Sequence, residues 1–82
     1  MDYPMLSIGY KNVIAKNRIV AIVSPNSRPV KIMIQKAREN GKLVDATLGK
    51  KTKAVIVTDS DHIVLSTNST ETLTQRIRSS NQ

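Results

Sequence analysis

Two short runs narrow the folds open to this chain: Ile19-Val20-Ala21-Ile22-Val23 and Ala54-Val55-Ile56-Val57. Each is apolar on both parities and rich in β-branched residues. Side chains alternate across a strand, so each run predicts a strand covered on both faces. The chain has 82 residues, the size of one domain. A chain this short buries only about 60–65% of its unfolded surface. Two faces of a sheet must be covered from a small store of residues.

The other elements follow from turn and cap signals. Leu6–Ile8 and Asn12–Ala15 read as short strands around Gly9, whose missing Cβ suits a bend or bulge. Asn17 and Arg18 make a polar corner into Ile19. Ser24-Pro25-Asn26-Ser27 ends that strand and starts a helix, with Ser27 as cap, Pro29 in the first turn and Gly41 at the stop after Asn40. Val30, Met33, Ile34 and Ala37 form its apolar stripe, and Lys31, Gln35, Arg38 and Lys42 lie along a polar face. Leu43–Thr47, Thr52–Thr58 and His62–Ser66 read as a three-stranded antiparallel run, turning at Gly49 and at Asp59-Ser60-Asp61. Asn68 followed by Glu71 is a capping-box pattern, opening a short helix over about Ser69–Arg78 with Leu73 and Ile77 inward. The core is expected over about residues 6–78, with flexible ends at Met1–Pro4 and Ser79–Gln82.

This order gives an α+β fold: a small antiparallel-rich sheet with one main helix and a short C-terminal helix. Two such helices cannot cover both faces of a five-stranded sheet. One solution is a second copy of the chain, which predicts a homo-oligomer. The other is an arm, Leu6–Ala15, packed on the remaining face.

Charge is concentrated rather than spread. Thirteen Lys and Arg oppose six Asp and Glu, for a net +7. Most of the excess lies between Arg28 and Lys53, where Arg28, Lys31, Lys36, Arg38, Lys42, Lys50, Lys51 and Lys53 meet only Glu39 and Asp45. The densest part is TLGKKTKAVIVT, Thr47 to Thr58, in which a turn at Gly49 leads through Lys50, Lys51 and Lys53 into an apolar strand. A cationic turn rooted on a buried strand presents charge rigidly to a polyanion. Single strands and RNA loops are usually held by stacking on aromatic rings, and this chain has only Tyr3 and Tyr10. Duplex DNA is the better fit.

NRIVAIVSPNSRPVK (Asn17–Lys31), the helix ending at Gly41, and LVDATLGKKTKAVIVTDSDHIVLS (Leu43–Ser66) together resemble the RemA family of bacterial extracellular matrix regulatory proteins. The likeness runs from about Ile8 to Ile77. It implies a cytoplasmic, nucleoid-associated transcription regulator of biofilm-matrix genes. It also implies oligomeric rings and a fold related to LytTR-type DNA-binding domains. The resemblance carries DNA contact to Arg18 and to the pair Lys50-Lys51, where the family typically has arginines. Lysine keeps the attraction to phosphate but lacks the two-pronged hydrogen bonding by which arginine reads guanine.

The expected function is therefore an oligomeric DNA-binding regulator that holds the duplex backbone through Arg18, Lys50, Lys51 and Lys53. Repetition around a ring would turn weak contacts into strong ones. The alternative is a structural assembly protein whose basic face binds an acidic protein partner. No enzyme, cofactor, metal, small-molecule substrate or membrane role is expected. Cysteine is absent, and Asp59-Ser60-Asp61-His62, a cluster able in principle to hold a divalent cation, reads better as a turn. Gly9, Gly41 and Gly49 are too scattered for a nucleotide-binding loop, and no apolar run approaches the 18 or so residues of a bilayer crossing.

Overall fold

The structure, a computed structural model, describes residues 4–79; residues 1–3 and 80–82 of the expected loose ends lie outside that range. The chain forms β1 (Met5–Gly9), β2 (Asn12–Ala15), a 3-10 turn (Lys16–Arg18), β3 (Ile19–Val23) and α1 (Arg28–Glu39). It continues through β4 (Leu43–Asp45), β5 (Ala54–Thr58), β6 (Ile63–Ser66) and α2 (Thr70–Ser79). The β1–β2 pair is a separate two-stranded sheet, and the other strands form one four-stranded sheet in the order β3-β5-β6-β4. The α+β class with one main and one short helix is as expected. The strand pairing and the covering of the sheet are not.

β4 pairs in parallel with β6, from Leu43↔Ile63 to Asp45↔Leu65, and not with β5 as an antiparallel hairpin. Strands adjacent in sequence commonly pair, which is why the hairpin was the natural expectation. Here residues 46–53 are long enough to cross the end of β6 and start β5 on its far side.

Alternation along β5 divides the core. Val55 joins Val30, Ala37, Ile63 and Leu65 under α1. Ala54 and Ile56 face the other way, against Leu6, Ile8, Val64 and Leu73. Leu6, Ile56 and Leu73 are fully buried there, each stabilising the fold by about 1.5–3 kcal/mol. The second face is thus covered by the β1–β2 hairpin together with α2. Of the two solutions the sequence left open, the arm is the one this chain uses. The inference of a homo-oligomer from an uncovered face is corrected to that extent: the face is covered within one copy, and a second copy is not needed to shield it.

Local chemistry sets the helix ends. The Ser27 hydroxyl accepts from the Val30 N–H at 3.3 Å, and Pro29 occupies the first turn of α1. At its other end Gly41 takes a φ of +71°, which lets the Lys42 N–H reach the Ala37 carbonyl at 2.8 Å. α2 is capped by Ser69, whose hydroxyl accepts from the Thr72 N–H at 3.1 Å, one residue later than the Asn68 expected. Asn68 is occupied elsewhere: its N–H donates to the Ser66 hydroxyl and its Oδ1 accepts from Arg76.

Among the described residues, both edges of the larger sheet lack a strand neighbour. On β3 the register shifts between Ile19 and Ala21, and Val20 is left 66% exposed. On β4, at the opposite edge, Val44 is 47% exposed.

Candidate nucleic-acid interface

The fold sends four connections to one end of the larger sheet: the β1–β2 tip (10–11), the β3–α1 link (24–27), the β4–β5 loop (46–53) and the β6–α2 link (67–69). Three of them meet at Ser66, which is fully buried. Its hydroxyl donates to the Ile8 carbonyl at 2.8 Å and accepts from the Asn68 N–H at 3.0 Å. Its own carbonyl accepts from the Lys53 N–H at 2.9 Å. One serine ties the hairpin, the basic loop and the start of α2 together.

The root of the basic loop is closed by hydrogen bonds. Ala46 and Thr47 are buried, and the Ala46 N–H donates to the Leu65 carbonyl at 3.1 Å. The Asp45 carboxylate accepts from the hydroxyl of Thr47 and, at 2.9 Å, from its N–H. Those two bonds, the hydroxyl first, hold the Asp45 carboxyl below the usual carboxylate range, with a smaller contribution from the Arg38 charge. The Thr47 carbonyl then accepts from the Lys50 N–H at 3.0 Å, closing a turn through Leu48 at φ +53° and Gly49 at φ +79°. A Cβ on Gly49 would meet nothing within 4 Å, so the backbone angle rather than space calls for glycine. Beyond this root Lys50, Lys51 and Lys53 are exposed. The structure brings these three expected site residues together on one rigid loop.

The two ends of the sheet differ in charge. The connections at the Ser66 end carry Lys11, Lys50, Lys51 and Lys53 and no Asp or Glu. At the other end, residues 16–18, 40–42 and 59–62 set Lys16, Arg18 and Lys42 against Asp59 and Asp61.

Arg18 belongs to the second end. Its Nε donates to Asp59 Oδ1 at 2.8 Å and Oδ2 at 3.1 Å, while the Asp59 N–H donates to the Arg18 carbonyl at 3.0 Å. The length of β5 separates this corner from Lys53, about 20 Å at the rise of an antiparallel strand. Within one copy Arg18 is therefore not brought together with the lysines. The same corner explains Asp59-Ser60-Asp61-His62 as a turn. The Thr58 hydroxyl donates to the His62 carbonyl at 3.1 Å, Ser60 Oγ lies 2.8 Å from His62 Nδ1, and Asp59 is held by Arg18. Among the described residues no group of three or more His, Cys, Asp or Glu is placed to hold a metal. Nor is any helix among them long and apolar enough to cross a membrane.

The chain matches the RemA-like family, described as Extracellular matrix regulatory protein A-like, over residues 5–77. It belongs to that family. Similar proteins share about half of its residues along nearly its whole length. One from Alkaliphilus oremlandii is 56% identical over 79 residues, covering 96% of this chain and 85% of that protein. One from Moorella thermoacetica is 53% identical over 79 residues, covering 96% and 87%. One from Oceanobacillus iheyensis is 52% identical over 82 residues, covering 100% and 95%. Each is named as a "Putative regulatory protein". The family description and the names of these relatives are those of regulatory proteins.

Two features of this end escaped sequence reasoning. Ser66 closes an apolar strand, and a serine there gives no sign of joining three connections. Tyr10 and Lys11 follow Gly9, a pattern that announces a turn but not that the hairpin is tied through Ser66 to the basic loop.

Proposed function

We propose that this RemA-like chain regulates transcription by binding duplex DNA as an oligomer, with Lys50, Lys51 and Lys53 holding the phosphate backbone. The observation that carries the reading is a lysine loop free of acidic residues, on a root closed by hydrogen bonds, at the one end of the sheet whose connections contain no carboxylate. Fixed donors suit phosphate, which needs positive charge at defined spacing and no particular base. Lysines in place of arginines favour backbone contact over base reading. Selectivity then comes from the shape and bendability of the duplex.

Three phosphate contacts per copy make a weak binder, with dissociation constants of about 0.1 mM to 1 µM at physiological salt even for larger sites. Joining copies makes later contacts intramolecular and adds about 100- to 10,000-fold. The unpaired edges bearing Val20 and Val44 supply two different apolar surfaces on opposite sides of the sheet. A contact between unlike surfaces repeats from copy to copy and closes as a ring when its rotation allows. Arg18 contributes from the far corner, to a different stretch of backbone, and only on releasing Asp59. An exposed pair of that kind is worth about 0–1 kcal/mol, so release costs little.

A gel shift with duplex DNA at near-physiological salt tests the reading. Lys50→Ala with Lys51→Ala should abolish the shift while oligomer mass and melting stay as in the parent. Retained binding overturns it, and a polyglutamate competitor that binds the parent in preference to DNA would point to an acidic protein partner.

A further inference from the structure

We infer that the β1–β2 hairpin tip, Tyr10-Lys11, is a second duplex-contacting element acting beside the lysine loop. This inference rests on the DNA reading above and extends it to residues that reading does not use. The first observation is the backbone. Gly9, Tyr10 and Lys11 have φ angles of +108°, +52° and +65° in succession. Left-handed angles at both central positions of a two-residue tip favour Asn-Gly, because bulky side chains resist them. Here the two positions hold a tyrosine and a lysine. Strain held at an exposed tip marks residues kept for what they present.

The second observation is placement. The Ser66 hydroxyl holds the Ile8 carbonyl at 2.8 Å while the Ser66 carbonyl holds the Lys53 N–H at 2.9 Å. Hairpin and lysine loop therefore leave the same residue. Gly9 also lies tight against the β6–α2 link, where a Cβ would come within 3.2 Å of Thr67 Oγ1 and 3.3 Å of Asn68 Oδ1. The tip is thus seated close to the link, and glycine is what allows it.

The third observation is composition. Tyr10 is 48% exposed, and the chain has no Phe or Trp. At the other tip Leu48 is 69% exposed, also at a left-handed φ. Each tip therefore sets an exposed carbon-rich side chain beside lysine. Lysine suits phosphate, and the tyrosine ring suits the sugar faces and base edges between phosphates. Lys11 takes one backbone phosphate, and Tyr10 packs against the adjoining sugars.

Salt dependence separates these roles. Lys11→Ala should lower the slope of log affinity against log salt by about 0.9 per engaged copy. Tyr10→Ala should weaken binding with the slope unchanged, since the ring carries no charge. Tyr10→Phe should retain most of the affinity, since it keeps the ring. The decisive variant replaces both residues by the pair this turn prefers, Tyr10→Asn with Lys11→Gly. It should melt at a higher temperature than the parent and bind the duplex more weakly. Parent-like binding by that variant at every salt concentration overturns the inference, even where Lys50→Ala with Lys51→Ala abolishes binding. If the Lys50/Lys51 variant also binds like the parent, the DNA reading itself is what fails.

Discussion

The two ends of the larger sheet are built from the same kinds of parts and treat charge in opposite ways. At the Arg18 end every connection is short, and its connections carry Asp59 and Asp61 alongside their cations. Arg18 is held by Asp59 from both backbone and side chain. At the Ser66 end the longest connection in the larger sheet carries Lys50, Lys51 and Lys53, the exposed carboxylate that precedes it, Asp45, is engaged by the Thr47 hydroxyl and N–H, and the hairpin tip adds Lys11. Neutralised charge steadies a corner and attracts little. Unopposed charge on a braced loop gives up local ion pairing and remains available to a polyanion. The net +7 of the chain is therefore a poor guide to its function, and the position of the opposing carboxylates is a better one.

The comparison can be broken most forcibly by reversing the lysine end. Lys50→Glu with Lys51→Glu should reduce duplex binding by more than about a hundredfold at 0.15 M salt, read by fluorescence anisotropy. Melting should shift little, since both residues are exposed. A loss of under threefold would remove the functional difference between the ends.

Next in size is the brace. Ser66→Ala leaves the Ile8 carbonyl without its buried donor and should cost about 1–3 kcal/mol. For a domain of this size that is about 4–8 °C of melting temperature per kcal/mol. Amide exchange should quicken at Asn68 and at the hairpin together, since both lose the hydroxyl, whereas an unchanged melt would show that the hairpin and the β6–α2 link are held independently of it.

A smaller effect sharpens the other end. Asp59→Asn releases Arg18 and should change stability by no more than about 1 kcal/mol. Duplex affinity should rise about two- to threefold if the freed guanidinium gains a phosphate. Adding Arg18→Ala should cancel that gain. No rise at all would exclude Arg18 from the DNA contact.

The smallest effect is on pH dependence. The Asp45 carboxyl titrates below its unfolded value, so its contribution to stability is fully present above about pH 4 and is lost as pH falls through the lower folded value. Asp45→Asn should flatten that part of an acid melting series. A steep loss that persists in the variant would place the acid sensitivity in another group.

Much of this molecule could be read from residue order. Ala54–Val57 is a strand covered on both faces, Ser27 and Gly41 bound the main helix, and the lysine loop stands on a closed root. Ile19–Val23 reads as covered likewise but is an edge strand with no fully buried residue, its Val20 66% exposed. Three things could not be read, each for a physical reason. Alternation says that a strand such as Ala54–Val57 is covered on both faces but not by what, so the Leu6–Ala15 arm and a second copy stood as alternatives between which the pattern could not choose. Pairing is not written in any one strand, and a loop such as 46–53 is long enough either to turn back or to cross over. Asn68 and Ser69 are both good caps, and the choice fell to Ser69 because Asn68 is claimed by Ser66 and Arg76, residues distant in the pattern but near in space. Arg18, grouped with the lysines by family resemblance, lies a strand's length from them within one copy.

β4 has no strand partner other than β6, so Leu43–Asp45 cannot settle until Ile63–Ser66 has emerged from the ribosome and docked. The lysine loop lies between the two and acquires its shape only then. A nascent or truncated chain carries all of those positive charges without their geometry. Whatever depends on that geometry becomes available only when synthesis has run nearly to the last helix.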